Sequence, residues 1–434
     1  MSLTEALMQN RCMFISLIIF CCAAFSATAR TEPFILGADI SWIPQREDGG
    51  VRYADNGTVK DIVEILKEHR FNWIRLRLFV DPTAVVPGED ESPYSRDGFC
   101  DLPHTIAMAE RIKAAGMNLL LDFHYSDTWA DPGKQYKPMS WQGLTFNQLT
   151  SKVRSYTKET LEAFRSRGVL PDMVQVGNEI VGGMIWPDGN SSNMSNFAAL
   201  VNAGIDGVKD VNQDIKIMIH SISKNSPSDW LRNLKNAGVN RIDVFGLSYY
   251  SEWHGTPDDL QSMINAIAAN HSQKIAVVEY ADNHERVNKI VFNIPHEQGI
   301  GTFVWEPCDW MEALFDWKNN RRETNSRIDL YPRLSREFGN DDIVRVDYLS
   351  DRKSAPESGK TSFSINHNGV LRNYSRYPLD INVYTFQGRL AGKCRIVSQG
   401  NNEMPVKSSG VYIIATSGKN LSNIITSHNL NRHR

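Results

Sequence analysis

Short apolar runs alternate with longer amphipathic stretches eight times between Phe34 and Phe338, which predicts an α/β chain folded as a (β/α)8 TIM barrel. Polar and aromatic residues gather where the apolar runs end, as expected of a barrel whose loops build one working face. Beyond Gly339 the texture changes to period-two alternation between Gly-containing turns, which predicts a small all-β C-terminal module after the barrel. A doubly wound open sheet is the alternative, but no Gly-rich dinucleotide turn follows the first run.

Strands are expected at residues 35–40, 73–79, 118–123, 173–176, 215–219, 243–247, 274–279 and 301–305. Helices are expected between them at 59–69, 102–115, 146–167, 193–211, 229–237, 258–270 and 285–293, and after the last strand at 330–338. Ile62, Ile65 and Leu66 in the first helix, and Leu161 and Phe164 in the third, keep the three-to-four spacing of one helical face. Gly116 and Gly168 follow helices in the place of C-terminal caps. Residues 341–360, rich in Asp, Arg, Ser, Pro and Gly, are expected to be a linker. In the module, residues 361–434, alternation in 381–386 and 411–414 marks half-buried strands.

The chain opens with a segment that is not expected to join the fold. Arg11, the apolar run from Met13 to Phe20 and the small-residue site Ala27-Thr28-Ala29 predict a secretory signal peptide over residues 1–29. The run is too short for a transmembrane anchor, and the bulky Phe20 before Cys21 and Cys22 disfavours a lipoprotein reading. A secreted, periplasmic or cell-surface protein follows. Of six cysteines, only Cys100, Cys308 and Cys394 lie beyond residue 29, too widely spaced for a disulfide framework or a zinc site. A net charge of −3 points to neither nucleic acid nor an anionic membrane as partner. The supply of 10 tryptophans and 14 tyrosines is generous; most are expected in the core, and sugar-binding clefts also use flat aromatic faces.

Two glutamates stand at strand ends: Glu179 closes Val-Gln-Val-Gly-Asn-Glu and Glu279 closes Ile-Ala-Val-Val-Glu. Carboxylates on strands four and seven of one barrel can flank a glycosidic bond, and a separation of about 5–5.5 Å would give cleavage with retention. A general acid must stay protonated near neutral pH, and a nucleophilic carboxylate must stay ionised beside donors. Glu179 is assigned as acid/base and Glu279 as nucleophile. Arg77 and Tyr249 are the candidate donors to the nucleophile. Arg75 and Arg77 share one side of their strand, and Arg77 is taken for the site while Arg75 is left as a structural partner. Asn178 is expected to bond a sugar hydroxyl and Trp305 to floor the subsite of the attacked sugar. Asp39, His124, Asp127 and Trp129 complete the substrate-binding set. Asp127 and Asp131 also read as turn caps, and Glu306, before Pro307, reads as structural. No second His or Cys lies at ligand spacing from His124, so no metal is assigned.

These stretches resemble the endo-β-1,4-galactanases of glycoside hydrolase family 53. The resemblance rests on Gly37 to Ser41, Arg77 to Pro82, His124 to Pro132 with Gln135 and Trp141, Gln175 to Ile180, Trp186-Pro187 and Trp305-Glu306-Pro307. It implies that Glu179 is the proton donor and Glu279 the nucleophile, and that the substrate is pectic (arabino)galactan of the plant cell wall. Some bacterial members bind calcium in a long loop after the nucleophile. Here Tyr280-Ala281-Asp282-Asn283-His284 leads almost at once into a helix, so no cofactor is required and calcium stays open only as a disfavoured ligand, with Asp282, Asn283 and His284 as the residues to contact a metal or the substrate. The tail resembles the β-sandwich sorting modules of secreted Bacteroidetes proteins, implying contact with secretion or surface-attachment machinery, and an ordinary accessory β domain is the equal alternative. Two other readings remain open: a related barrel glycosidase acting on another β-linked plant polysaccharide, and a carbohydrate-binding barrel without catalysis.

Overall fold

The computed structural model describes residues 30, 32–89 and 92–340 in full, and strands between 363 and 427. The signal segment and the linker lie outside the described residues. Phe34–Phe338 forms one compact unit.

Its strands are β1 (Ile35–Asp39), β2 (Trp73–Leu78), β3 (Asn118–Phe123), β4 (Met173–Val176), β5 (Lys216–Ile222), β6 (Val244–Ser248), β7 (Lys274–Tyr280) and β8 (Gly299–Trp305). They close into a parallel barrel in chain order, with β8 back beside β1. Helices α1 (Ile62–Glu68), α2 (Leu102–Ala114), α3 (Phe146–Ser166), α4 (Met194–Val211), α5 (Pro227–Asn236), α6 (Pro257–Asn270), α7 (His284–Phe292) and α8 (Leu330–Glu337) follow the strands one by one. The predicted (β/α)8 barrel is thus the observed fold. The main correction concerns α1, expected from residue 59. Asp61 caps it by accepting from the Val63 N–H, so it starts at Ile62, and Val59 belongs to the short strand Thr58–Val59.

Side-chain alternation explains what the barrel holds. Ile35, Trp73, Leu120, Met173, Met218, Val244, Ala276, Val278 and Phe303 fill the lower interior as one apolar cluster. Two residues further along their strands stand Arg75, Asp122, Gln175 and His220, all buried. Period-two geometry puts these polar groups in the same interior, one layer nearer the carboxyl ends. The opposite parity (Leu36, Ile74, Leu119, Val174, Ile217) packs outward against the helices in the main core.

The loops leaving β1 and β8 meet in a small sheet of Phe315–Lys318, Arg321–Thr324, Tyr53–Asp55 and Thr58–Val59, which local sequence patterns did not announce. In the tail, Phe363–Ile365, Val370–Asn373 and Asn401–Glu403 form a three-stranded sheet. Leu390–Ile396, Leu379–Thr385, Gly410–Thr416 and Ser422–Ser427 form a four-stranded one, and all these pairings are antiparallel.

Candidate active site

Glu179 and Glu279 line one cavity of about 440 Å³ at the carboxyl ends of the strands. Two local distortions aim them. After β4, Gly177 takes φ 84° and Glu179 itself takes φ 46°, a left-handed conformation that strains a residue with a Cβ and turns the chain sharply. On β7 the register against β6 slips, so that Leu247 faces Val277 and Ser248 faces Glu279. Val278 is the extra residue of a bulge. Val278 therefore points into the apolar interior, and Glu279 still reaches the cavity.

The two carboxyls sit in different surroundings. Glu279 Oε1 lies 2.9 Å from Arg75 Nη2. Its Oε2 accepts from the Tyr250 hydroxyl at 3.0 Å, with Ser248 Oγ at 3.4 Å. Among the described residues no cation lies within ion-pair distance of Glu179. Burial, and then the charge of Glu279, push Glu179 up to about 8. Burial also raises Glu279, but the Arg75 guanidinium opposes it. Arg75 and Tyr250 favour the charged form of Glu279, and among the described residues no cation pairs with Glu179, so of the two Glu179 is the one that burial and its neighbour hold in the protonated form to higher pH. Burial and the Glu279 charge raise the Tyr250 hydroxyl far above its ordinary range, so it remains a donor.

Arg75 is the hub of the polar layer. Besides Glu279 it bonds Asp39 Oδ2 at 2.8 Å and Asp122 Oδ2 at 2.9 Å. It also donates to Asn178 Oδ1 at 2.9 Å and Gln175 Oε1 at 3.2 Å. Burial pushes Asp122 up, yet Arg75 and His124 more than offset this and hold it below the usual carboxylate range. His220 lies between Asn178 Oδ1 and Ser248 Oγ, 2.9 Å from each, and burial and Arg75 keep it neutral. Arg77 pairs with Glu306 at 2.9 Å, and burial, opposed by Arg77, lifts Glu306 to about 8. Two buried arginines thus share four carboxyls, Asp39, Asp122, Glu279 and Glu306, while burial raises Glu306 and Glu179, the latter without an ion-pair partner among the described residues.

The sequence assignments divide accordingly. Arg77, His124, Trp129, Asn178 and Trp305 all line the cavity with the two glutamates. Four assigned roles need correction. Arg77 does not donate to the nucleophile; Arg75, one turn of the pleat lower, does. Tyr249 points outward into the core and its hydroxyl donates to Gly255 O at 3.0 Å, so Tyr250 is the donor instead. Asp39 is buried behind Arg75 and does not line the cavity. Asp127 accepts from the Asp81 and Met139 N–H groups and anchors two loops. Asn178 is committed on both sides, its Nδ2 donating to Ala130 O at 2.8 Å. Sequence reasoning missed Ile222 and Trp310 in the cavity wall and left Trp253 and His254 without a role. Strand parity had the signal for Tyr250, because Val244, Gly246, Ser248 and residue 250 share one face.

A parallel eight-stranded barrel with two glutamates in unlike surroundings in one cleft at its carboxyl end has the architecture of a glycoside hydrolase. The chain belongs to glycosyl hydrolase family 53, whose family model matches residues 35–289. It is 35% identical over 308 residues to the arabinogalactan endo-beta-1,4-galactanase of Humicola insolens, covering 63% of this chain and 89% of that protein. The GH53 catalytic domain of Ignisphaera aggregans superposes with a TM-score of 0.62 at 32% identity, covering 70% of this chain and 98% of that domain. A solved fungal beta-1,4-galactanase gives a TM-score of 0.61 at 29% identity, over 68% of this chain and 98% of that one.

Proposed function

We propose that the enzyme hydrolyses internal β-1,4-galactosidic bonds of pectic (arabino)galactan by double displacement, with Glu279 as nucleophile and Glu179 as acid/base. The contrast between the two carboxyls carries this reading: one is held by Arg75 and Tyr250, the other has no cation and keeps its proton. In the first step the Glu279 carboxylate attacks the anomeric carbon while the Glu179 proton passes to the departing glycosidic oxygen. In the second, Glu179, now ionised, takes a proton from water, which attacks the glycosyl ester and releases Glu279. Trp129, Trp253, Trp305 and Trp310 give the cleft flat apolar faces for sugar rings. Both reacting groups are side chains, so we propose no metal or cofactor. A signal peptide over residues 1–29 and a sorting role for the C-terminal sheets would place the enzyme outside the cytoplasm. Among the described residues no helix is long and apolar enough to cross a membrane.

Incubation with debranched galactan, arabinan, xylan and mannan, followed by reducing-end release, tests the substrate. Activity confined to a non-galactan would replace galactan by that glycan. Proton NMR of the first products tests the stereochemistry: β-anomers are expected, and initial α-anomers would overturn the double displacement.

A further inference from the structure

Ser248, the last residue of β6, is fully buried and has both glutamates within reach. Its Oγ stands 3.4 Å from Glu279 Oε2. The same hydroxyl acts on the Glu179 carboxyl, opposing the burial and the Glu279 charge that raise it. On its other side lies His220 Nε2, 2.9 Å away. His220, on β5, is also fully buried and is kept neutral, so its ring carries one proton. The surroundings of Nδ1 say where that proton is. Nδ1 receives the backbone N–H of Glu179 at 3.3 Å and Gln175 Nε2 at 3.0 Å, and a backbone N–H can only donate. Asn178 Oδ1, 2.9 Å from Nδ1, already accepts from Arg75 Nη2 and Gln175 Nε2. Nδ1 is therefore the bare nitrogen, and Nε2–H donates to Ser248 Oγ. With its oxygen accepting from the imidazole, the Ser248 hydroxyl has its own proton left for a carboxylate.

We propose that Ser248 and His220 are a positioning pair whose hydroxyl follows the negative charge through the reaction, donating to Glu279 in the free enzyme and to Glu179 in the glycosyl-enzyme. The proposal rests on the double displacement above and deepens it. Glu279 loses its charge when its oxygen bonds the anomeric carbon. Glu179 gains one when its proton has passed to the departing glycosidic oxygen. Rotation about the Ser248 Cβ–Oγ bond re-aims the donor between the two without moving the backbone, and Ser248 keeps its proton throughout. The imidazole N–H at Oγ stops the hydroxyl from turning back towards β5. Arg75 and Tyr250 bond Glu279, and among the described residues no cation pairs with Glu179, so the new charge on Glu179 is met by Ser248.

The test uses the dinitrophenyl β-glycoside of galactobiose, whose leaving group departs without a proton. Its kcat then measures hydrolysis of the glycosyl-enzyme, and the acidic limb of kcat reports Glu179 as base. In Ser248→Ala that limb should rise by about one pH unit, the scale of one hydrogen bond to a charged group. The charged groups that act on Glu179, which are Glu279, Asp131 and Arg75, are untouched by the substitution. Ser248→Thr keeps the hydroxyl and should bring the limb back to the wild-type position. A limb that stays in place in Ser248→Ala overturns the proposal. Nitrogen NMR of the histidines in the resting enzyme gives a readout independent of activity: His220 should show a bare Nδ1 and a protonated Nε2. A proton on Nδ1 would make Ser248 a donor to the imidazole and overturn the proposal as well. A wild type that forms no glycosyl-enzyme with this substrate, followed by mass spectrometry, overturns the double displacement itself, which separates the two failures.

Discussion

Arg75 Nη2 stands 2.9 Å from Glu279 Oε1 on an arginine side chain that is 1% exposed. The same guanidinium bonds Asp39 and Asp122. A planar fork with five donors can serve that many acceptors; a lysine ammonium is a single point charge and cannot. Arg75→Lys is therefore expected to lower kcat on the order of 10²-fold, the scale of losing a preorganised donor. It should also lower stability by about 3–5 kcal/mol, because buried carboxylates lose their partner. Steady-state kinetics and thermal denaturation measure both. A variant with wild-type kcat would show that the nucleophile does not depend on this pair.

Tyr250 and Tyr249 are neighbours with opposite roles. The Tyr250 hydroxyl donates to Glu279 Oε2 at 3.0 Å, and that of Tyr249 to a loop carbonyl. A hydrogen bond to a charged group contributes about 1.5–3 kcal/mol, so Tyr250→Phe should cost roughly 10- to 100-fold in kcat/KM. Tyr249→Phe should leave kcat within about twofold and cost at most about 1 kcal/mol of stability. The reverse ranking would restore Tyr249 as the donor.

That pair also shows what the sequence carries. The alternation of apolar and polar residues located every barrel strand to within a few residues, because burial on two faces leaves long apolar runs. The glutamates were legible because each ends such a run. The donors were missed for another reason: Arg75 and Arg77 share one side of β2, so parity leaves both open, and only depth in the barrel decides which arginine meets Glu279, while Tyr250 continues the parity of Val244, Gly246 and Ser248. Val278 shifts the phase of β7, and only pairing with Ser248 reveals it. The sheet formed by residues 53–59 and 315–324 joins segments far apart in the chain, and neither segment encodes its partner locally. The Arg77–Glu306 pair spans a similar distance.

Among the described residues no group of three or more His, Cys, Asp or Glu is placed to hold a metal ion. Ser251 donates its hydroxyl to Asp282, and Asn283 donates to the same side chain at 3.2 Å, so the Asp282 carboxylate is engaged by protein donors. Activity and Tm are expected to be unchanged after exhaustive chelation. A Tm that rises with added calcium, as binding to the native state alone requires, would overturn the proposal that no metal is used.

The proton on Glu179 makes stability and activity move together with pH. A glutamate titrates ordinarily near 4.5, and burial and Glu279 push this one up to about 8. Between those values the folded chain holds a proton that the unfolded chain has released. Stability must then fall as pH rises through that window. Glu306, lifted to about 8 as well, acts in the same sense. His254 and His284, pushed down to about 4 by burial, act in the opposite one, losing stability as pH falls below their ordinary range. Comparing Glu179→Gln with the wild type cancels the other groups. The variant, nearly isosteric with a protonated glutamate, should match the wild type near pH 5 and exceed its Tm by several degrees near pH 8, where about 1 kcal/mol moves Tm by roughly 2–4 °C. Its kcat on galactan should fall on the order of 10²–10⁴-fold. In the wild type the alkaline limb of kcat/KM should lie near pH 8, since only the protonated acid can serve the leaving group. Glu279→Gln removes the neighbouring charge, so the Glu179 titration, followed by carboxyl-labelled NMR, should move down. A Tm difference between Glu179→Gln and wild type that is the same at every pH would mean that Glu179 is ionised throughout and that the acid must be sought elsewhere in the cleft.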